Sequence, residues 1–215
     1  MTRPRPPAEL LDTSYDSERP LRRFAPAPEL VEWITAMFVA EDARLCNEDH
    51  AHLQFARIGA LWTNVPNSRS GRAIVGQAEY LRNAGGVIGK WVRAAREQQL
   101  EEWFGEVPDF LLTFDADYAA LCRDDELCAL VEHELYHCGI ERDADGAPRF
   151  SETGQPIFGL RGHDVEEFVG VVRRYGADAA HVRELVEAAG RAPEVAPVSI
   201  AAACGSCVPP RLVRA

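Results

Sequence analysis

His133, Glu134 and His137 stand in the run His-Glu-Leu-Tyr-His, two imidazoles four residues apart with a carboxylate beside the first. On an α-helix this spacing leaves the two histidines about 40° apart around the axis, so both can reach one ion. Neutral imidazole suits zinc, and a catalytic zinc takes three protein ligands and keeps a fourth position open to water. Glu134 is placed to take a proton from that water, which the ion makes more acidic. The chemistry expected is hydrolysis, with Glu134 as general base. With 6 histidines in the chain, chance produces one such pattern in roughly two chains in a hundred. Placement on an apolar, capped helix lowers that further, because two histidines are expensive to bury without a partner.

The third ligand has to come from elsewhere. His163 leads, since it follows Gly162 and precedes an apolar stripe of Val165, Phe168, Val169 and Val172 that reads as a helix beginning near His163. Glu166 and Glu167 are alternatives for a two-histidine, one-carboxylate site, and Asp164 and His181 are weaker ones. Asp164 is expected either to cap that helix or to hydrogen-bond a ligand imidazole. Tyr118, Arg149, Arg161 and Tyr175 are each chemically able to donate to an oxyanion opposite the metal, and spacing does not choose between them. His50, His52 and His181 read as packing or surface residues. Cys204 and Cys207 have the spacing of half a zinc knuckle, but no second CxxC exists to complete it.

The elements that must hold these residues follow from periodicity. Asp124, Asp125 and Glu126 begin a helix whose core stripe is Leu127, Val131, Leu135 and Cys138, with Leu130, His133 and His137 on the neighbouring stripe and Gly139 as its stop. Residues 109–118 alternate Phe110, Leu112, Phe114 against Leu111, Thr113, Asp115, the pattern of a strand. Further strands are expected within 52–63 and 72–81, and helices over 28–46, 89–104 and from about 178 to Gly190. Asp145-Gly146 and Thr153-Gly154 mark residues 140–162 as an inserted hairpin or loop. Residues 1–26, with Pro4, Pro6, Pro7, Pro20 and Pro26, read as a flexible arm, and 191–215 as a poorly ordered tail, leaving 27–190 as the domain.

A chain of 215 residues with 47% hydrophobic and 27% charged residues has the composition of one globular domain. Its formal net charge of -11 would repel a phosphate backbone, so nucleic-acid binding is disfavoured. No apolar run approaches a membrane span, and the N-terminus has arginines without an apolar stretch behind them, so a cytoplasmic protein is expected, its six cysteines as thiols.

HELYHC at 133–138, followed by GHDVEEFVGVVRRYG at 162–176 and preceded by PDFLLTFDADY at 108–118, resembles the phage metallopeptidase family, in which an HExxH helix is followed by an HD-x-E-E-F helix. The histidine ahead of Asp164 is also similar to the third ligand of SprT-like and WLM-type metallopeptidases. The resemblance implies zinc ligands His133, His137 and His163, catalytic Glu134, and a phage or prophage origin. The expected hydrolysis itself calls for one zinc ion per chain and a peptide or protein substrate. The fold expected is an α+β, zincin-like domain with a small mixed sheet packed on the HExxH helix. Residues 109–118 are the candidate edge strand for aligning an extended substrate. The rival from another class is a zinc-stabilised regulatory or binding module whose site is closed by a fourth protein ligand, with Cys138 or Asp164 as donor.

Overall fold

The computed structural model describes residues 2–11, 23–69, 71–82, 89–165, 169–179 and 182–194. Its elements run, in chain order, α1 (Ala8–Leu11), β1 (Phe24–Pro26), α2 (Pro28–Ile34) continuing into a π-helical turn (Thr35–Val39), a 3-10 helix (Glu48–Phe55), β2 (Ile58–Thr63), β3 (Asn67–Arg69), β4 (Arg72–Ile74), β5 (Gly76–Tyr80), α3 (Lys90–Phe104), β6 (Phe110–Asp115), α4 (Ala116–Leu121), α5 (Asp124–His137), β7 (Cys138–Ile140), β8 (Phe158–Leu160), α6 (Val169–Ala179) and α7 (Arg183–Ala189). The class is mixed α+β. Among the described residues, no helix is long and apolar enough to cross a membrane.

The main sheet has the order β1-β2-β6-β5, with β2 parallel to β6 and the two outer pairings antiparallel. This corrects the expectation that residues 109–118 form an edge. A strand apolar on both sides suits the middle of a sheet covered on both faces, and β6 is such a strand. Phe110, Leu112 and Phe114 join Trp62, Ala78, Leu30, Ile34, Phe38, Leu127, Leu130 and Leu135 in the main core. On the other face Leu111 meets Leu61 and Leu100 of α3. Helix α3 covers that face with its C-terminal half only, and Trp91 at its start is 91% exposed.

Helix α5 carries the core stripe read from the sequence: Leu127, Val131, Leu135 and Cys138 are fully buried, and Leu130 of the neighbouring stripe is buried with them. Its start is satisfied by Glu126, whose Oε2 accepts from the Arg123 amide at 2.8 Å. Its end differs from expectation. Cys138 leaves helical geometry (φ -82, ψ 83) and enters β7 directly, so Gly139 is a strand residue and not a cap. A Cβ on Gly139 would lie 3.1 Å from Cβ of Arg161, so glycine is needed there for close strand approach. The 140–162 insertion is a hairpin: β7 and β8 pair antiparallel, and Gly146 and Gly154 turn at φ 82 and 78.

Other expectations shift. Within the segment read as a loose arm, Arg3 and Leu10 are buried and Phe24–Pro26 pairs with β2. The reason is specific: Arg3 donates to the Ala119 and Cys122 carbonyls and pairs with Asp124 at 2.9 Å, which ties residues 2–11 to the α4–α5 junction. The helix expected over 28–46 ends at Val39, where Ala40 turns extended. The strand expected from 52 begins at Ile58, after the 3-10 turn. Residues 195–215, with Cys204 and Cys207, lie outside the described residues, as does His181.

Candidate metal centre

Helix α5 supplies His133 and His137 from one face, one turn apart, with ring centroids 5.1 Å from each other. His163 completes the group, its ring 5.3 Å from that of His133 and 5.0 Å from that of His137. One ring nitrogen from each of the three lies within 4.8 Å of the others.

How His163 reaches this place was not legible in the periodicity. Residues 161–165 are not helical, so the helix expected to begin near His163 is corrected: α6 begins at Val169, and Glu166, Glu167 and Phe168 lie outside the described residues. His163 is instead delivered by an extension of the β7–β8 pairing. The Arg161 amide donates to the His137 carbonyl at 2.9 Å, continuing the ladder one residue back into α5. The Arg161 carbonyl accepts from His137 Nδ1 at 2.7 Å. One main-chain hydrogen bond and one from the His137 ring thus fasten the backbone of residue 161 to the second histidine of the motif, and His163 follows two residues later.

The same contact fixes chemistry. A carbonyl only accepts, so His137 Nδ1 carries the proton and its Nε2 presents the lone pair, the arrangement by which outer partners orient imidazole ligands. Burial holds His133 down to about 4, helped by the neighbouring His137 and His163. Burial also lowers His137, against the raising effect of its bond to Arg161. Neutral imidazoles are the form that binds a metal. Three imidazoles on a helix and a strand extension suit a borderline-soft divalent ion such as zinc.

Glu134 is fully buried on the side of α5 that faces β5, where a Cβ on Gly76 would come within 2.9 Å of its Oε1 and 2.8 Å of Leu130 Cδ1. Its carboxylate is not one of the three clustered donors. Neither donor considered for closing the site joins the group: the buried Cys138 thiol donates to the Glu134 carbonyl at 3.4 Å, and Asp164 Oδ1 accepts from Arg161 Nη2 at 2.5 Å. Asp164, expected to cap a helix or to hydrogen-bond a ligand imidazole, is ion-paired with Arg161.

The histidines open into a small cleft of about 80 Å³ whose walls include Tyr136, Arg161, Gly162 and Asp164. Tyr136 is braced from outside, its hydroxyl accepting from Asn47 Nδ2 at 2.8 Å and donating to Asp49 Oδ2 at 3.1 Å. His50 packs edge-on against its ring at 4.6 Å, a buried packing histidine lowered to about 4 chiefly by desolvation. His52 donates to the Cys138 carbonyl at 2.6 Å, supporting the point where α5 becomes β7. Sequence reasoning missed the supporting roles of Asn47, Asp49, His52 and the Arg161 main chain, and no local pattern signals them.

Residues 31–190 match the sequence profile of a family described as "Putative phage metallopeptidase". No curated protein and no solved structure matches the chain.

Proposed function

The chain belongs to the phage metallopeptidase family, and from that premise we propose that it is a zinc-dependent hydrolase of peptide bonds with a zincin-like site. His133, His137 and His163 would hold one zinc ion, and Glu134 is the general base. The observation that carries this reading is the convergence of three imidazoles, with one ring nitrogen of each within 4.8 Å of the others. Three histidines are a donor set that catalytic zinc sites use, with a further position left for water. The bound ion would supply Lewis acidity, polarising the scissile carbonyl and lowering the pKa of water.

The chain's own residues do the rest. Glu134 takes a proton from the attacking water and later delivers it to the leaving nitrogen, so one carboxylate serves as base and then acid. Its burial against β5 keeps it at one place beside His133. The hydrogen bond from His137 to Arg161 keeps that imidazole in one tautomer through the cycle. With β6 central in the sheet, β5 replaces it as the strand along which an extended peptide would lie, since among the described residues β5 ends the ladder on the side of Glu134.

Metal analysis of the purified protein, with a mass-spectrometric screen of a denatured-protein pool, tests the proposal. One zinc per chain is expected, with cleavage that a chelator abolishes. Glu134→Gln should keep the zinc and lose hydrolysis by about 10²- to 10⁴-fold. Zinc bound with four protein ligands, or cleavage that survives in Glu134→Gln, would overturn it; the first result would identify a zinc-stabilised binding module.

A further inference from the structure

Hydrolysis of an amide drives negative charge onto the carbonyl oxygen, and a preorganised donor at that point is commonly the largest single catalytic term. Of the four side chains the sequence left as candidates, three sit elsewhere. Tyr118 is half-buried against the main core. Arg149 is paired with Glu141 on the hairpin. Tyr175 lies exposed on α6 beneath Arg174. Arg161 lines the cleft together with His133, His137 and His163. Tyr136 lines it as well, but its hydroxyl is committed to Asn47 and Asp49.

Resting on the hydrolase reading above, we propose that Arg161 is the side chain that receives the charge developing on the scissile carbonyl oxygen, with Asp164 and Tyr136 as its positioning residues. The guanidinium is held at two points. Nη2 donates to Asp164 Oδ1 at 2.5 Å, and Cζ stands 5.8 Å over the Tyr136 ring, a cation–π distance. Asp164 engages Nη2, and the guanidinium carries further N–H donors on Nε and Nη1. The backbone of the same residue is fastened to His137, which ties the guanidinium to the position of the metal ligands. Arginine stays charged at any working pH and presents a rigid fork, as an oxyanion donor must.

The electron bookkeeping of the step is complete with these groups. The water oxygen forms a bond to the carbonyl carbon and gives one proton to Glu134, and the C=O π pair moves onto the oxygen facing Arg161. When that pair reforms the double bond, the C–N bond breaks and its electrons take the proton from Glu134. The products are an amine and a carboxylic acid, which ionises to solvent.

The test uses the zinc-loaded full chain and two probes measured by calorimetry. One is a C-terminally amidated phosphinic peptide, whose tetrahedral oxygens mimic the charged state. The other is acetohydroxamate, a planar metal binder lacking them. Arg161→Gln should weaken the phosphinic peptide by about 10²-fold while zinc content and acetohydroxamate affinity stay within about 2-fold, and where cleavage is measured kcat should fall with KM held. Arg161→Lys should lose less, and Asp164→Asn should lower the phosphinic-to-hydroxamate affinity ratio by about 3- to 10-fold, a ratio that a merely structural role would not move. Unchanged phosphinic affinity would overturn the assignment, as would equal loss of both probes. So would a loss confined to a free-carboxylate version of the peptide, which would make Arg161 a carboxylate-recognition residue. Failure of both probes on wild-type protein would refute the hydrolase reading itself, an outcome separate from any difference among variants.

Discussion

Gly76→Ala places one methyl group between the sheet and the general base. The added Cβ would sit 2.8 Å from Leu130 Cδ1 and 2.9 Å from Glu134 Oε1, closer than nonbonded atoms of these kinds approach. Neither neighbour moves cheaply, because both are fully buried on α5. Overpacking of this kind costs about 1–3 kcal/mol, and the lower chain entropy of alanine when unfolded offsets about 0.4–1 kcal/mol. A net loss of about 1–2 kcal/mol corresponds to a fall in Tm of about 2–8 °C for a chain of this size. Relieving the contact requires Glu134 to shift by about 0.5 Å, and catalytic geometry is steep enough for roughly a 10-fold loss in kcat/KM. Gly170→Ala on α6, where a Cβ meets nothing within 4 Å, is the control: it should leave activity within error and hold or slightly raise Tm. Thermal melting followed by cleavage assays on the two variants decides the matter. Wild-type stability and activity in Gly76→Ala would refute the steric argument. Lowered stability with full activity would show that Leu130 alone gives way and that β5 does not position the base.

Three further outcomes are expected. His163→Ala and His133→Ala should lose zinc to a comparable degree in competition with a chromogenic chelator, because an incomplete set of imidazoles binds far more weakly; full zinc retention in His163→Ala would remove it from the site. Gly139→Val should push the Arg161 strand away through a Cβ contact of 3.1 Å and weaken zinc binding by about 10-fold, whereas unaltered affinity would mean that the strand extension does not deliver His163. The metal-free protein should lose stability as pH falls from 6.5 toward about 4. His50 and His133 are both held at about 4 by burial, so in that window the unfolded chain binds protons that the folded one refuses. Denaturant midpoints measured across that range should slope, less so in His50→Gln, and a flat profile would contradict the assigned burial of both groups.

Several features were determined by residues near one another in the chain. The HExxH spacing places two imidazoles on one helical face because helix geometry is intrinsic, and the stripe Leu127, Val131, Leu135 declares which side is buried. The alternation through residues 110–115 is likewise a backbone period, as are the glycine turns of the hairpin. Tertiary structure decided what periodicity cannot encode. Whether β6 is central or at an edge depends on what pairs with each side of it, and both of its apolar faces were visible without revealing its partners. The place of His163 depends on hydrogen bonds between Arg161 and His137, 24 residues apart, and those require the hairpin to close first. The need for glycine at 76 and 139 is equally non-local: each permits a close approach to side chains more than twenty residues away, so its reason appears only once the sheet, α5 and the hairpin are packed together.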